Sequence, residues 1–338
     1  MTKKMHSPRR IGETGLTVSP LGFGTAPLGG LFEASSDDAA GCAIDAAIDG
    51  GITHFDTAPS YGFGLAEERL GTALKVKHAL EKTHVVSSKV GRILVNDTNE
   101  TPRKNWAEDS GRRARYDVSR DGILRSVEDS LERTKLERLD ILFLHDPDKQ
   151  AEDDTTLTKI LTEAYGAMDE LRAQGMISAI GIGVNSATPC FRALEVGAWD
   201  CFMLAGSHSV LTQEDDGLLD KCLKHKISVM IAAPFLSGVL AGGDHWRYKP
   251  VPEDIHTRVS VLRKLCRQYG VAIESAALQF PLFHPAVCNV VVGMRTASEV
   301  AQNLAALNSE IPADLWASLN AEGFISDGHF EYTPSCVA

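Results

Sequence analysis

Eight short β-rich runs recur along the chain, each followed by a longer stretch with helical hydrophobic spacing, and this alternation limits the fold more than any other feature. The runs end near Gly22 (VSPLG), Asp56 (ITHFD), Lys89 (HVVSSK), His145 (LDILFLH), Gly183 (ISAIGIG), Ala205 (CFMLA), Ala232 (ISVMIA) and Val292 (NVVV). Amphipathic stretches cover 38–49, 66–75, 120–134, 156–174, 189–196, 215–225, 256–269 and 298–307. In the third, Ile123, Leu124, Val127 and Leu131 recur at helical spacing, while Arg125, Glu128, Glu132 and Arg133 take the other face. Strands alternating with helices predict a parallel sheet with helical crossovers. Eight such pairs in 338 residues predict an α/β chain closed into a (β/α)8 TIM barrel, with an N-terminal hairpin and extra helices at 274–283 and 313–322.

The length also accommodates two domains, but the alternation runs unbroken from about residue 15 to about residue 305, so 1–338 reads as one domain. Residues 1–9 and 330–338 are expected as flexible ends. Residues 92–118 form a polar segment rich in Arg, Asn and Asp, without a clear period, just after the third strand. That is the end of a strand on which barrels build their sites, so a long substrate-side loop is expected, although a mobile surface insertion suits the same composition.

Charge narrows the function classes. Thirty-four basic against 45 acidic residues leave a net charge of −11, a poor match for nucleic acid or an anionic membrane. No apolar run approaches the ~20 residues of a membrane span, and MTKKMHSPRR has no apolar run behind its charged start. A cytoplasmic protein is expected. Seven cysteines without a C-x-x-C pair read as free thiols in a reducing compartment, and no metal is expected.

A dinucleotide-binding doubly wound sheet would carry G-x-G-x-x-G after its first strand. Here Gly22-Phe23-Gly24 is followed by Pro27 and Gly181-Ile182-Gly183 by Ser186, where the third glycine should be. What stands out is a polar residue at the end of three successive apolar strands: Asp56, Lys89 and His145. Taken singly, Asp56 suits a turn cap, Lys89 a side chain reaching solvent, and His145 a packed rim histidine. A barrel brings all three to one mouth, and Tyr61 follows Asp56 in DTAPSYG. A phenol, with its ordinary pKa of about 10, transfers protons near neutrality only if something favours its anion. A nearby lysine would do so, and an aspartate would keep that lysine charged and in place.

The chain resembles the aldo-keto reductase superfamily over almost its whole length. The resemblance is carried by GETGLTVSPLGFGTAPLGG, GITHFDTAPSYGFGLAEERLG, SSKVGR, SVEDSLERTKLERLDILFLHDPD, MDELRAQGMISAIGIGVNS and VVVGMRTASEVAQN. It implies that Asp56, Tyr61, Lys89 and His145 are the catalytic four, and that a nicotinamide cofactor lies extended across the barrel mouth. The implied cofactor contacts are Gly24, Thr25, Asp56, Asn185, Ser186, His208, Pro234, Phe235, Ser237, Gly293, Met294, Arg295, Thr296, Glu299, Gln302 and Asn303. Of these, Asn185 and Ser186 match the pair holding the carboxamide, and His208 stands where many relatives stack a tyrosine on the nicotinamide.

Glu299 occupies the position at which NADP-using members carry an arginine for the 2′-phosphate. A carboxylate there repels phosphate and accepts hydrogen bonds from free ribose hydroxyls, which implies NAD; it also suits the first turn of a helix on its own account. VSRDG, FLHDPD and LAGSHSVL are similar to the NAD-linked branch of pyridoxal 4-dehydrogenases and D-threo-aldose (L-fucose) 1-dehydrogenases, which oxidise a cyclic hemiacetal to its lactone. The implied partner is therefore a small-molecule hemiacetal such as pyridoxal, L-fucose or D-arabinose, with oligomeric state left open. NADPH-dependent aldehyde or ketone reduction by the same four residues, and a non-catalytic nicotinamide-binding regulatory subunit, are the alternatives. His145, Asp146 and Asp148 in HDPD could be drawn as metal ligands, but Pro147 interrupts them and no second cluster supports a site.

Overall fold

The computed structural model describes residues 7–78, 84–97 and 105–326. Eight parallel strands close into a barrel: β1 (Leu21–Gly24), β2 (His54–Asp56), β3 (Val85–Val90), β4 (Ile141–His145), β5 (Ala179–Val184), β6 (Cys201–Ala205), β7 (Ser228–Ala232) and β8 (Val287–Gly293). Their order around the barrel is their order in the chain, and β8 closes on β1 through the pairs Val290–Leu21, Val291–Gly22, Val292–Phe23 and Gly293–Gly24. Around them run α1 (Asp37–Asp49), α2 (Leu65–His78), α3 (Arg120–Thr134), α4 (Asp154–Ala173), α5 (Thr188–Val196), α6 (Leu218–Lys224), α7 (Glu253–Gln268), α8 (Ile273–Gln279), α9 (Ala297–Asn308) and α10 (Ala313–Ala321). Among the described residues no helix is long and apolar enough to cross a membrane.

Local chemistry sets the boundaries. Ser36 caps α1 by accepting from the Ala39 amide, and Ser119 caps α3 by accepting from the Gly122 amide, each meeting one of the donors a helix start leaves open. In α3 the buried Ile123 and Val127 face the barrel. The expected first strand, VSPLG, is divided at Pro20, which has no N–H for a ladder. Thr17–Val18 belongs to a hairpin with Arg9–Arg10, and the barrel strand starts at Leu21.

That hairpin covers one end of the barrel. Ile11 and Val18 join the interior cluster of Phe143, Met203, Met230 and Val291, all buried, each large apolar side chain contributing roughly 1.5–3 kcal/mol. The Arg9 guanidinium donates to the carbonyl oxygens of Leu282 and Val287, so the chain is tied down from Arg9 onward. Residues 1–6 and 330–338 of the expected flexible ends lie outside the described residues. At the other end, the polar segment 92–118 holds an antiparallel hairpin, Arg92–Asn96 against Arg112–Tyr116, in place of an aperiodic loop; residues 98–104 lie outside the described ones. A separate apolar cluster, including Leu262, Phe280 and Trp316, joins α7, α8 and α10.

Candidate active site

Side chains alternate along a strand, so residues two apart share a face. Phe143 lies in the barrel interior, and His145, two residues on, emerges at the mouth. The same parity brings Asp56 of β2 and Lys89 of β3 to the lining of one large cavity there, with Tyr61 and His145. Lys89 Nζ lies 2.6 Å from Asp56 Oδ2 and donates to the Thr57 carbonyl oxygen at 3.0 Å; both charged side chains are 3% exposed. A buried pair survives only with its remaining valences met. Here Ser87 Oγ donates to Asp56 Oδ1 at 2.7 Å and contacts His54 Nε2 at 2.9 Å, while His54 Nδ1 is 2.9 Å from Asn289 Oδ1. His54 and Ser87 were not singled out in the sequence, although His54 shares the face of Asp56 by standing two residues before it.

Tyr61 begins a tight turn, Tyr61–Gly64, packed on the turn Ala26–Gly29. Gly62 has φ 59°, and a Cβ there would lie 2.3 Å from the Gly29 carbonyl oxygen, so only glycine lets the two turns meet. Lys89 Nζ stands over the Tyr61 ring, 4.7 Å from its centroid, and His145 meets the ring edge-on at 6.1 Å.

Burial, reinforced by the charges of Asp56 and Asp146, pushes the Tyr61 phenol well above its ordinary pKa, with Arg92 pulling the other way. Tyr61 therefore rests as the phenol, and proton transfer through its anion, which a nearby Lys89 is expected to favour, works against burial. Burial, then Arg92 and Lys89, holds His145 well below the ordinary imidazole value, so its ring is neutral. Ser60 Oγ is 3.5 Å from His145 Nδ1, leaving Nε2 to face the cavity.

The rim adds groups that lay unassigned within 92–118. Arg92 Nη2 donates to Asp146 Oδ2 at 2.7 Å, and Asn185 Nδ2 donates to Asp146 Oδ1 at 3.0 Å. Trp106 lies 6.2 Å from the Tyr61 ring and 6.1 Å from Phe63, centroid to centroid. Its position is fixed two residues on, where Glu108 takes two hydrogen bonds from Arg69, both at 3.0 Å. Phe32 stacks on His245 at 4.2 Å and donates its amide to the Asn105 carbonyl oxygen, drawing three loops together over the mouth.

The cavity measures about 1260 Å³ and runs from Asp56, Tyr61, Lys89 and His145 to the start of α9. That exceeds a single-ligand pocket, typically about 300–1,000 Å³, and leaves room for cofactor and substrate together. Gly24, Asn185, Pro234, Phe235, Ser237, Gly293, Arg295, Glu299, Gln302 and Asn303 line it. Thr25, Ser186, His208, Met294 and Thr296 do not. Thr25 and Met294 are buried in the wall, Ser186 is exposed, and Thr296 caps α9. His208 is drawn behind the wall by Asp215, 2.8 Å from its Nδ1, and by stacking on Phe280 at 5.2 Å. Its ring does not reach the cavity, which Phe235 lines.

The residues fit a dinucleotide. Gly293 and the α9 N-terminus offer close backbone and a positive helix end to a pyrophosphate. Arg295 Nε is buried with no hydrogen-bond partner, a donor suited to an anion. Glu299 accepts from the Arg295 amide through Oε2 at 2.6 Å and donates its own amide to Thr296 Oγ, so it closes the helix start while its side chain borders the cavity. Among the described residues no group of three or more His, Cys, Asp and Glu is arranged to hold a metal.

Comparison with known proteins agrees with this geometry. Residues 20–322 match the Aldo/keto reductase family. The chain is 37% identical to a pyridoxal 4-dehydrogenase of Microbacterium luteolum, over 96% of this chain and 100% of that one. It is 36% identical to a D-threo-aldose 1-dehydrogenase of a Pseudomonas species, over 90% and 94%. An aldo-keto reductase of Bacillus halodurans, solved in its holo form, superposes with a TM-score of 0.72 at 24% identity, covering 94% of this chain and 96% of that one, a likeness of fold.

Proposed function

The chain belongs to the aldo/keto reductase family and is an oxidoreductase, and on that premise we propose that it oxidises a cyclic hemiacetal, pyridoxal or an aldose, to the lactone with NAD, in the cytoplasm. The observation that carries this reading is one continuous cavity with Tyr61, His145, Lys89 and Asp56 at one end and the Glu299 carboxylate at the other. The relatives' names support the substrate class, and Glu299 supports NAD, since an anion there repels a 2′-phosphate and suits ribose hydroxyls.

Asn185 would hold the nicotinamide amide, and Gly293, Arg295 and Glu299 the remainder of the cofactor. When bound, the nicotinamide supplies the hydride acceptor. The neutral His145 donates from Nε2 to the reacting oxygen and orients it. The hydroxyl proton passes to the Tyr61 oxygen, which must first have lost its own; burial opposes that loss, and the charges of Lys89 and Arg92 favour it. Asp56 and the Thr57 carbonyl oxygen keep Lys89 in position.

One observation favours a second reading, reduction of an aldehyde or ketone with NADPH. The resting Tyr61 phenol is already the acid that a carbonyl oxygen needs as hydride arrives. The test is formation of reduced nicotinamide from NAD and, separately, NADP with L-fucose, D-arabinose, L-xylose and pyridoxal. Turnover with NAD on any of these supports oxidation. Activity confined to NADPH and open-chain aldehydes replaces it with the reductase reading.

A further inference from the structure

Asp146 directly follows His145 and adopts φ 47°, ψ 57°, a left-handed conformation that residues other than glycine seldom adopt. Three contacts hold it there: its amide donates to the Gly183 carbonyl oxygen at 2.9 Å, Arg92 takes Oδ2, and Asn185 takes Oδ1. This geometry turns the carboxylate toward the reacting centre, where Oδ2 lies 3.7 Å from His145 Nε2. Arg92 and Asp146 both line the cavity.

The valences of the pair are not exhausted. A carboxylate has about four acceptor positions and a guanidinium five N–H groups; the contacts with Arg92 and Asn185 use two of the former. The pair therefore presents an acceptor and a donor side by side, next to the atom that binds the reacting oxygen. A cyclic hemiacetal offers the matching pattern. Its ring oxygen can only accept, and the hydroxyl nearest the reacting carbon can donate, at C2 of an aldose or C3 of pyridoxal. Resting on the hemiacetal reading above, we propose that the Arg92–Asp146 pair is the specificity element of this cavity, with Arg92 donating to the ring oxygen and Asp146 accepting from the neighbouring hydroxyl. The preferred class is then a hemiacetal bearing that hydroxyl, over its deoxy counterpart and over simple aldehydes.

D-arabinose and 2-deoxy-D-ribose differ only at the C2 hydroxyl, and pyridoxal and 3-deoxypyridoxal only at the C3 hydroxyl. The experiment measures kcat and KM for both pairs with the full-length enzyme and with Asp146→Asn and Arg92→Met, whose folding is checked by thermal midpoint. The wild-type enzyme should prefer the hydroxylated member by about 10²-fold in kcat/KM, because a site built to bind a hydroxyl leaves polar groups unpaired with the analogue that lacks it. In Asp146→Asn that ratio should fall by at least tenfold, with most of the change in KM. Arg92→Met should weaken both members of a pair together, since both keep the ring oxygen. Equal use of both members by the wild type, or a ratio unchanged in Asp146→Asn, overturns this inference alone. Turnover with NAD of none of these four, nor of L-fucose or L-xylose, overturns the proposed function and this inference with it.

Discussion

The ammonium of Lys89 lies over the face of the Tyr61 ring, 4.7 Å from its centroid, while its hydrogen bonds go to Asp56 and the Thr57 carbonyl oxygen. Lys89 thus acts on the phenol through space, as a cation against a π face. That cation favours the anion, and burial outweighs it, so Tyr61 rests as a proton donor.

A pH asymmetry follows. With Tyr61 held as phenol, oxidation depends on the small fraction ionised, so its rate should climb with hydroxide concentration and show no plateau below pH about 10. Reduction uses the phenol and should be flat from pH 6 to about 9. His145, already neutral, contributes no inflection in that window. The check is kcat/KM against pH in both directions, with a deuterated hydride donor confirming that chemistry limits the rate. Tyr61→Phe should lower turnover by about 10²–10⁴-fold with the cofactor dissociation constant nearly unchanged.

The Lys89–Asp56 pair should behave as a unit. Lys89→Met leaves the Asp56 carboxylate buried without its counterion and should cost about 3–5 kcal/mol of stability. Adding Asp56→Asn should recover part of that loss while restoring no activity. Urea denaturation of the two singles and the double closes the cycle, and additive effects would show that the pair is uncoupled.

The barrel and the meeting of Asp56, Lys89 and His145 at its mouth were legible because they follow from periodicity. A strand alternating with its neighbours fixes which residue emerges at the mouth, so Asp56, Lys89 and His145 could be placed from spacing. What was hidden is set by contacts between segments distant in sequence. Arg92 gave no sign, beyond standing three residues after Lys89, that it would pair with Asp146; the hairpin Arg92–Asn96 with Arg112–Tyr116 puts it there. His208 lies behind the cavity wall for the same reason. Its place in LAGSHSVL follows a resemblance of text, whereas Asp215 and Phe280 decide where the ring lies. Pro20 could have been read, since a residue without an N–H divides a ladder wherever it falls.

Cofactor choice should respond to charge at one position. Glu299→Gln keeps an oxygen to accept from the Arg295 amide but removes the anion that faces the cavity. The kcat/KM ratio of NAD to NADP should fall on the order of tenfold, about 1.4 kcal/mol. Glu299→Ala should give a similar ratio and also lower the thermal midpoint, because the start of α9 then loses its acceptor. A ratio unmoved in both variants means that the adenosine end lies elsewhere in the cavity.

Acid should loosen the mouth before it unfolds the barrel. Burial pushes the Glu108 carboxyl upward, but hydrogen bonds from Arg69 and the Ser35 amide outweigh it and hold the group below its ordinary pKa. A carboxyl whose folded pKa is depressed contributes stability that is complete above its unfolded value, about 4.3, and is lost as pH falls through the folded value. The Arg69 pair is therefore intact at neutral pH and breaks only in acid, freeing the segment that seats Trp106 beside Tyr61. Glu108→Gln should imitate that state at neutral pH, raising substrate KM several-fold while the far-ultraviolet circular dichroism of the barrel is retained. Comparing KM in wild type and variant from pH 7 down to about pH 3, past the unfolded value, separates the outcomes. Convergence of the two in acid supports the Arg69–Glu108 clasp as the group that holds the rim, and parallel curves would assign the rim's order to the Phe32–His245 stack instead.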